Sequence, residues 1–311
     1  MQRTPRGVVR KLDRGGARAD PGNRSGGRAA GRARLARRGA GPDDDWRARP
    51  RGGRGVSSGT GVPVWVVLPT YDEAENITSM LAALTRVFDT NSIDGTVLVV
   101  DDGSPDGTAD LADRFAQGDD RVRVLRRTLK EGLGPAYRAG FRLALDAGAA
   151  RIVEMDCDFS HDPAALPALV SAADDADLVI GSRYVSGGGV IRWGLVRRII
   201  SRGGCLYAQA VLGLPIRDLT GGFKCFRREV LEAIPLDEVA AAGYGFQVEM
   251  TYRAVLLGFR VTEVPIVFSE RVHGVSKMHR RIVIEAATLV PRLRLRLGRT
   301  GRRARRPIPS E

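Results

Sequence analysis

Asp156 and Asp158 stand one residue apart in "EMDCDFSH" (154–161), directly after the apolar pair Ile152–Val153. Two carboxylates at that spacing repel, and their repulsion grows as water is withdrawn, so a positive partner is called for. A second acidic pair, Asp101–Asp102, closes the apolar run "TVLVVDD". Hard divalent cations such as Mg2+ or Mn2+ take oxygen ligands and are commonly held by one or two carboxylates together with substrate phosphates. Solvated aspartates at strand ends are the alternative, because Asp is a common turn residue. "DDGSPDGT" (101–108) also admits two readings. Its acidic residue can accept hydrogen bonds from ribose hydroxyls, or the stretch is a plain turn into a helix capped by Asp106. Late in the chain, "FSERVHGVSKMHRR" (268–281) gathers Arg271, His273, Lys277, His279, Arg280 and Arg281 beside Gly274 and Ser276. Such a loop can close over phosphate oxygens, with Arg183 facing the same place, or it is a solvated basic link into a surface helix.

Elements must bring these residues together. Short β-branched runs at 64–70, 96–102, 121–127, 151–156 and 177–183 alternate with helical stretches at 73–87, 108–117, 134–147 and 163–173. That alternation predicts an α/β fold with a mostly parallel sheet covered by helices on both faces. In such sheets ligands bind beyond the carboxyl ends of the strands. "PTYDE", "DDGSPDG", "MDCDFSH" and "GSRY" all fall there. A glycine-rich segment (184–193) follows, then a long helix at 194–212, the stretch "RDLTGGFKCFRREV", a helix at 246–258 and a strand at 261–268. Residues 280–297 alternate apolar and Arg positions. They read as an interrupted amphipathic helix that lies on a membrane surface or packs on the body.

Composition narrows the function classes. Of the net charge of +13, residues 1–60 carry +11 and residues 292–311 carry +7, so the stretch between them is mildly acidic. That distribution weighs against a nucleic-acid-binding body. Residues 1–60, built from Arg, Gly, Ala and Pro, are expected to be a disordered extension, because they offer too little apolar surface to offset the entropy of ordering. They are either a basic arm or a solvated extension with no role. The expected organisation is this extension at 1–60, a catalytic domain at 61–279, an amphipathic helix at 280–298 and a basic disordered tail at 299–311. Cys157, Cys205 and Cys225 show neither zinc nor disulfide spacing, which suggests a reducing compartment. No apolar run reaches the ~18–20 residues of a membrane span, and no secretory signal is expected at the N-terminus. A nicotinamide enzyme is disfavoured: the first strand runs into Pro-Thr-Tyr-Asp-Glu where G-x-G-x-x-G is required, and the "GLG" at 132–134 follows the third strand.

Taken in order, "LPTYDEAENI", "VVDDGSPDGT", "GLGPAYRAGF", "MDCDFSHDP", "GSRYVSGGGV", "DLTGGFKCFRREVL", "GYGFQVEM" and "EVPIVFSERVHGVSKM" resemble the family 2 glycosyltransferases. The resemblance is strongest to the dolichol-phosphate mannose synthase branch and its actinobacterial polyprenol monophosphomannose synthases, and it covers about residues 62–290. It implies a GT-A fold, GDP-mannose as donor, a polyprenyl phosphate as acceptor and Mg2+ or Mn2+ as cofactor. It implies that Pro69, Tyr71, Glu73, Val100 and Asp102 line the guanosine site. Asp156, Cys157 and Asp158 would occupy the DxD position on the donor side, with Asp158 the metal ligand, Asp156 beside it and Ser160 near the shell. Arg183, Arg271 and Lys277 would bind donor diphosphate or acceptor phosphate and, with Asp158, carry the catalysis. Arg197 and Arg202 would join Arg183 in guiding the acceptor phosphate. The chain departs from the family at Cys157, where Ala is usual, and at Val275, where Glu is usual in the closing loop. The first raises oxidation sensitivity and preference for softer metals; the second puts that carboxylate's role in doubt.

The reaction so implied is inverting transfer of mannose from GDP-mannose to polyprenyl phosphate. The enzyme would sit on the cytoplasmic face of the membrane, held by its basic C-terminal part or by a membrane-protein partner. Transfer of glucose or another sugar to the same lipid phosphate is the alternative within the family. Nucleic-acid binding through the Arg-rich tails is the alternative from another class, and it predicts a salt-sensitive affinity residing in residues 1–60.

Overall fold

In the computed structural model, residues 61–239, 241, 243–270 and 288–298 are described, all within one compact unit, Gly41–Glu311. Seven strands form the main sheet: β1 (Val64–Thr70), β2 (Gly95–Asp101), β3 (Val122–Arg126), β4 (Arg151–Glu154), β5 (Leu178–Ser182), β7 (Lys224–Arg227) and β8 (Val261–Pro265). Their order is β3-β2-β1-β4-β7-β5-β8. Every pairing is parallel except the two made by β7, which runs antiparallel between β4 and β5. The mostly parallel α/β architecture expected from the alternation of runs is therefore present. β6 (Gly189–Val190) and β9 (Val267–Phe268) make a separate parallel pair.

The side-chain period of two along β1 explains the layering. Trp65 and Val67 point into one apolar cluster, with α3 (Leu133–Asp146), α6 (Arg228–Ala233), α7 (Tyr244–Leu256) and the C-terminal half of α5 (Leu195–Leu212). Val64, Val66 and Leu68 point into the other, with α1 (Ile77–Asn91), α2 (Thr108–Gly118) and α4 (Leu166–Ala172). On the first face α3 lies so close to the sheet that a Cβ on Gly140 would come within 2.5 Å of Val67 Cγ1. A further helix, α8 (288–298), places Val290, Leu293 and Leu297 in that same cluster. Of the two readings of the amphipathic segment, this part packs on the body; residues 280–287 lie outside the described residues.

The elements differ from the sequence expectation at three places. α1 begins at Ile77 rather than 73, because the loop after β2 captures the backbone of residues 72–74 first. Asp72 N–H donates to Ser104 Oγ (3.1 Å), Glu73 N–H to Thr108 Oγ1 (3.0 Å) and Ala74 N–H to Asp106 Oδ2 (2.9 Å), and Asp72 takes a φ of 58°. β7 and α6 emerge from "KCFRREVLEA", whose Lys and Arg positions hide the strand. The run at 261–268 is cut after Pro265, and its remainder joins β6 instead.

Candidate active site

The strand register aligns the carboxyl ends of β1 and β2, with Thr70 opposite Asp101, and "PTYDE" and "DDGSPDGT" meet there. Asp101 is spent internally. Its carboxylate accepts from Thr70 Oγ1 (3.1 Å), Ser104 Oγ (2.6 Å) and Ser104 N–H (2.9 Å). Asp106 accepts from Thr108 N–H and hydroxyl as well as from Ala74, which is a turn role, although the cap of α2 falls on Gly107 and not on Asp106 as expected. Asp102 faces elsewhere: it accepts from Gly132 N–H (2.8 Å) and is ion-paired with Arg127. Lys130 Nζ lies 3.1 Å from the centroid of the Tyr71 ring. Glu73 Oε2 accepts from Asn76 Nδ2 (2.7 Å). Pro69 is half-buried at the same strand end. Val100 is buried in the apolar core, so only its main chain is available to a donor nucleoside.

β4 delivers the two aspartates. Asp158 is buried and accepts from Ser160 N–H (3.0 Å), in a turn that places Phe159 at a φ of 57°. Asp156 is partly exposed; its own N–H donates to His161 Nδ1 (3.3 Å), and its Oδ2 is 3.8 Å from that atom. His161 is buried against Phe223 and edge-on to Phe268, which ties the turn to the β6–β9 pair. Cys157 points the other way, into the apolar cluster of α1 and α4. Burial, followed by the charges of Glu73, Asp158 and Asp156, pushes its thiol well above the usual value. The protonated, enclosed thiol answers the concern over oxidation and soft metals. The donor set available to a hard cation is two carboxylates, one buried and one reaching solvent, with His161 beside Asp156; among the described residues no group of three or more His, Cys, Asp or Glu is arranged to hold an ion by itself. The rest of such a shell would come from phosphate oxygens and water.

Beneath this turn lies a buried charge pair. Glu154 at the end of β4 pairs in register with Lys224 on β7, Nζ to Oε1 3.4 Å, with both side chains fully enclosed. Lys224 Nζ also donates to Gln247 Oε1 (2.6 Å) and to the Gln247 carbonyl (2.9 Å). Burial pushes the Glu154 carboxyl up to about 7, against the pull of Lys224 and Gln247, and burial pulls the Lys224 ammonium down.

β5 leads into Arg183, which is 7% exposed. Its Nε and Nη2 donate to Asp218 Oδ2 (2.7 Å) and Oδ1 (2.6 Å), and Nη2 also reaches Thr220 Oγ1 (2.9 Å). Asp218 takes a third bond from Arg183 N–H (2.9 Å). Burial alone would raise the Asp218 carboxyl, but the hydrogen bonds and charge of Arg183 hold it below its ordinary value. The Asp218 N–H is in turn held by Glu263 Oε1 (2.9 Å), so Arg183 is anchored back to β8. Around it stand three aromatic rings, Tyr184, Trp193 and Phe268, each 5.2–5.6 Å from its Cζ.

Two arginines of α5 share those rings. Arg197 Cζ sits 4.2 Å from the Trp193 centroid and Arg202 Cζ 4.8 Å from that of Tyr184, whose hydroxyl donates to Ser201 Oγ (2.7 Å). Arg197 Nη1 pairs with Glu270 (3.1 Å). Arg197 Nε, Arg202 Nη1 and Trp193 Nε1 are buried and make no hydrogen bond among the described residues. Alongside them the N-terminal half of α5 turns an apolar face outward: Leu195 is 72%, Val196 70% and Ile199 62% exposed.

The structure thus brings Arg183, Arg197 and Arg202 together, and it places Asp156, Asp158 and Ser160 in one turn. Arg271 and Lys277 lie outside the described residues, as do Val275 and the extension at 1–60. Sequence reasoning passed over Asp218, Tyr184, His161 and Trp193. The acidic "RDLT" after a long helix was the only signal for Asp218, and nothing local announces that it partners a residue 35 positions earlier.

Residues 65–234 match the profile described as glycosyl transferase family 2. The chain is 48% identical over 242 residues to an undecaprenyl-phosphate mannosyltransferase from Micrococcus luteus, an alignment covering 78% of this chain and 98% of that one. It is 48% identical over 223 residues to a polyprenol monophosphomannose synthase from Mycolicibacterium smegmatis, covering 71% and 83%. Among solved structures, the fold is similar to glucosyl-3-phosphoglycerate synthase from Mycobacterium tuberculosis in complex with Mn2+, UDP and its product. The TM-score is 0.56 at 23% identity, covering 76% of this chain and 81% of that one. It is also similar to a mannosyltransferase from Pyrobaculum calidifontis in complex with GDP-mannose and Mn2+ (TM-score 0.53, 20% identity, 82% and 70% covered).

Proposed function

The chain belongs to glycosyl transferase family 2, and from that premise we propose that it transfers mannose from GDP-mannose to a polyprenyl phosphate, giving polyprenyl phosphomannose and GDP. The observation that carries the reading is on α5. Buried guanidinium N–H groups without hydrogen-bond partners among the described residues, Arg197 Nε and Arg202 Nη1, lie on the helix that exposes Leu195, Val196 and Ile199. A buried donor is costly unless it meets an acceptor, and an exposed apolar helix face calls for a non-aqueous neighbour. A ligand with an anionic head and an isoprenoid tail satisfies both at once. The names of the two 48%-identical relatives, both acting on polyprenyl or undecaprenyl phosphate, support the same acceptor.

The chemistry needs no general base. A phosphate monoester has a second pKa near ~6 by analogy with phosphorylated side chains, so the acceptor is already an anionic nucleophile at neutral pH. One of its oxygens attacks C1 of mannose as the bond from C1 to the diphosphate oxygen breaks, which inverts the anomeric centre and releases GDP. The difficulty is the approach of one anion to another. Arg183, fixed in orientation by Asp218 and Thr220, keeps Nη1 for a phosphate, and Arg197 and Arg202 add positive charge on the acceptor side. Arg271 and Lys277 would close over the donor diphosphate. Mg2+ or Mn2+, held by Asp156 and Asp158 with Ser160 beside them, would supply charge neutralisation on the leaving diphosphate. Tyr71, Glu73, Pro69 and Asp102 would hold the nucleoside, with Cys157 and Val100 contributing main chain.

No helix among the described residues is long and apolar enough to cross a membrane. With a lipid acceptor, the chain would meet the bilayer at its surface, on the cytoplasmic side in this reading, through the exposed face of α5 and with a membrane-protein partner as a further anchor. The test is incorporation of label from GDP-[14C]mannose into organic-extractable lipid, with polyprenyl phosphate added, with and without EDTA, and with Asp158→Ala. Label that disappears with EDTA and falls by a factor of about 100 or more in the variant supports the reading. Label from UDP-glucose alone overturns the donor, and no labelled lipid from either donor overturns the reaction.

A further inference from the structure

Trp193 is the buried residue in an exposed stretch. Ile191 and Arg192 before it and Gly194, Leu195 and Val196 after it are all exposed, whereas Trp193 is 7% exposed. The β6–β9 pair and the Ile191 N–H bond to the Phe268 carbonyl (2.8 Å) hold the preceding backbone. Arg192 then turns the chain through a φ of 62°, a conformation uncommon for a side chain of that size, and this swings the indole inward. The ring packs edge-on to Phe268 at 5.3 Å and lies under the Arg197 guanidinium at 4.2 Å, with Arg183 Cζ at 5.6 Å. An indole N–H can only donate, and native folds seldom leave a buried donor unpaired. Among the described residues Trp193 Nε1 makes no hydrogen bond, and neither does the Nε of the guanidinium stacked on it. Apolar filling alone does not need an indole with its N–H enclosed among arginines; a Phe or Leu would fill the space.

We propose that the Trp193 indole N–H is a hydrogen-bond donor to the phosphate monoester of the lipid acceptor, completing the set begun by Arg197 and Arg202. The inference rests on the reading of α5 as the acceptor platform. The cations over the ring draw electron density from it and strengthen the N–H as a donor. A neutral donor within a cluster of guanidiniums also adds directionality to the site without adding like-charge repulsion. The ligand chemistry is a phosphate monoester carrying an apolar chain rather than free phosphate, because Leu195, Val196 and Ile199 flank the site.

The experiment is a 1H–15N titration of the full chain, which has three tryptophans, with the Trp193 indole signal assigned by its loss in Trp193→Phe. Decyl phosphate is the probe, with inorganic phosphate and GDP as separate arms. A saturable downfield shift of this signal with decyl phosphate, weak with inorganic phosphate and not produced by GDP, is expected. Trp193→Phe, which keeps a single aromatic ring and loses the pyrrole ring with its N–H, should bind decyl phosphate about tenfold more weakly and raise the acceptor KM alike, as loss of one charge-assisted hydrogen bond implies. An unmoved indole at saturating decyl phosphate, an equal shift with GDP, or a Phe variant that binds as tightly as the wild type overturns the proposal. The two readings fail separately. Mannosyl transfer by the wild type with an unmoved indole sinks only this inference. A responding indole in a chain that transfers no mannose sinks only the reaction.

Discussion

Asp218 belongs to no motif that reads as catalytic, yet its carboxylate takes three hydrogen bonds from Arg183 while Glu263 holds its own N–H. Arg183 therefore enters any reaction with its plane and direction set. Replacing Asp218 with Asn leaves a buried guanidinium without its counter-charge, which should cost about 3 kcal/mol of stability at neutral pH and lower transfer activity. The pH dependence has a definite sign. The folded carboxyl is held below its ordinary value of 3.8, so the stability it contributes is full above that value and is lost as pH falls through the lower folded value. Urea unfolding between pH 6 and pH 3 should show a steeper loss for the wild type than for Asp218→Asn. Parallel curves would mean that the pair contributes nothing to acid stability.

The antiparallel strand β7 inserts Lys224 opposite Glu154, directly under the aspartate turn. Both groups are fully enclosed, so removing one strands the other. Lys224→Met or Glu154→Leu alone should destabilise by about 3–5 kcal/mol, whereas the double variant should recover most of that loss. Additive single losses in the double variant would show that the pair is not coupled. Because Glu154 is raised to about 7 from 4.5, the folded state binds more protons than the unfolded one between those values. Its contribution to stability therefore falls as pH rises from about 4.5 to about 7 and is flat above that. Lys224→Met, which removes the charge that lowers the Glu154 carboxyl, should carry that fall to higher pH. α8 belongs to the same scale: its apolar side, Val290, Leu293 and Leu297, is spent on the body, leaving Arg292, Arg294 and Arg296 outward.

For the whole molecule the question is where it meets lipid. The net positive charge resides in residues 1–60 and 292–311, but the apolar surface beside the guanidinium cluster is on α5. Leu195→Glu with Ile199→Glu should lower flotation with anionic liposomes by a factor of about ten or more, since two exposed apolar side chains on a lipid-facing helix are each worth more than 1 kcal/mol when buried. Transfer to a short, water-soluble polyprenyl phosphate should persist only at high acceptor concentration, with a raised KM, because the same side chains flank the acceptor's tail. Unchanged flotation would assign the docking to the basic tails instead.

The α/β class and the strand ends where the polar motifs gather were legible in the sequence, because buried parallel strands must read as β-branched runs and polar motifs follow where those runs stop. The aspartate pair, the "PTYDE" and "DDGSPDGT" motifs and Arg183 were placed at strand ends that way. What local pattern does not encode is which distant groups share a pocket. The start of α1 was set by acceptors in the next loop, Ser104, Thr108 and Asp106. β7 was hidden because a central strand carrying Lys and Arg has no apolar signature until Glu154 and the neighbouring carbonyls appear beside it. Asp218 and Trp193 carry meaning only through Arg183 and Arg197. Sequence by itself determined which residue types are available and in what order the elements run. Only tertiary structure decided which charges are paired and which donors are left waiting, because hydrogen bonding and burial depend on distances in space, and those are set by packing.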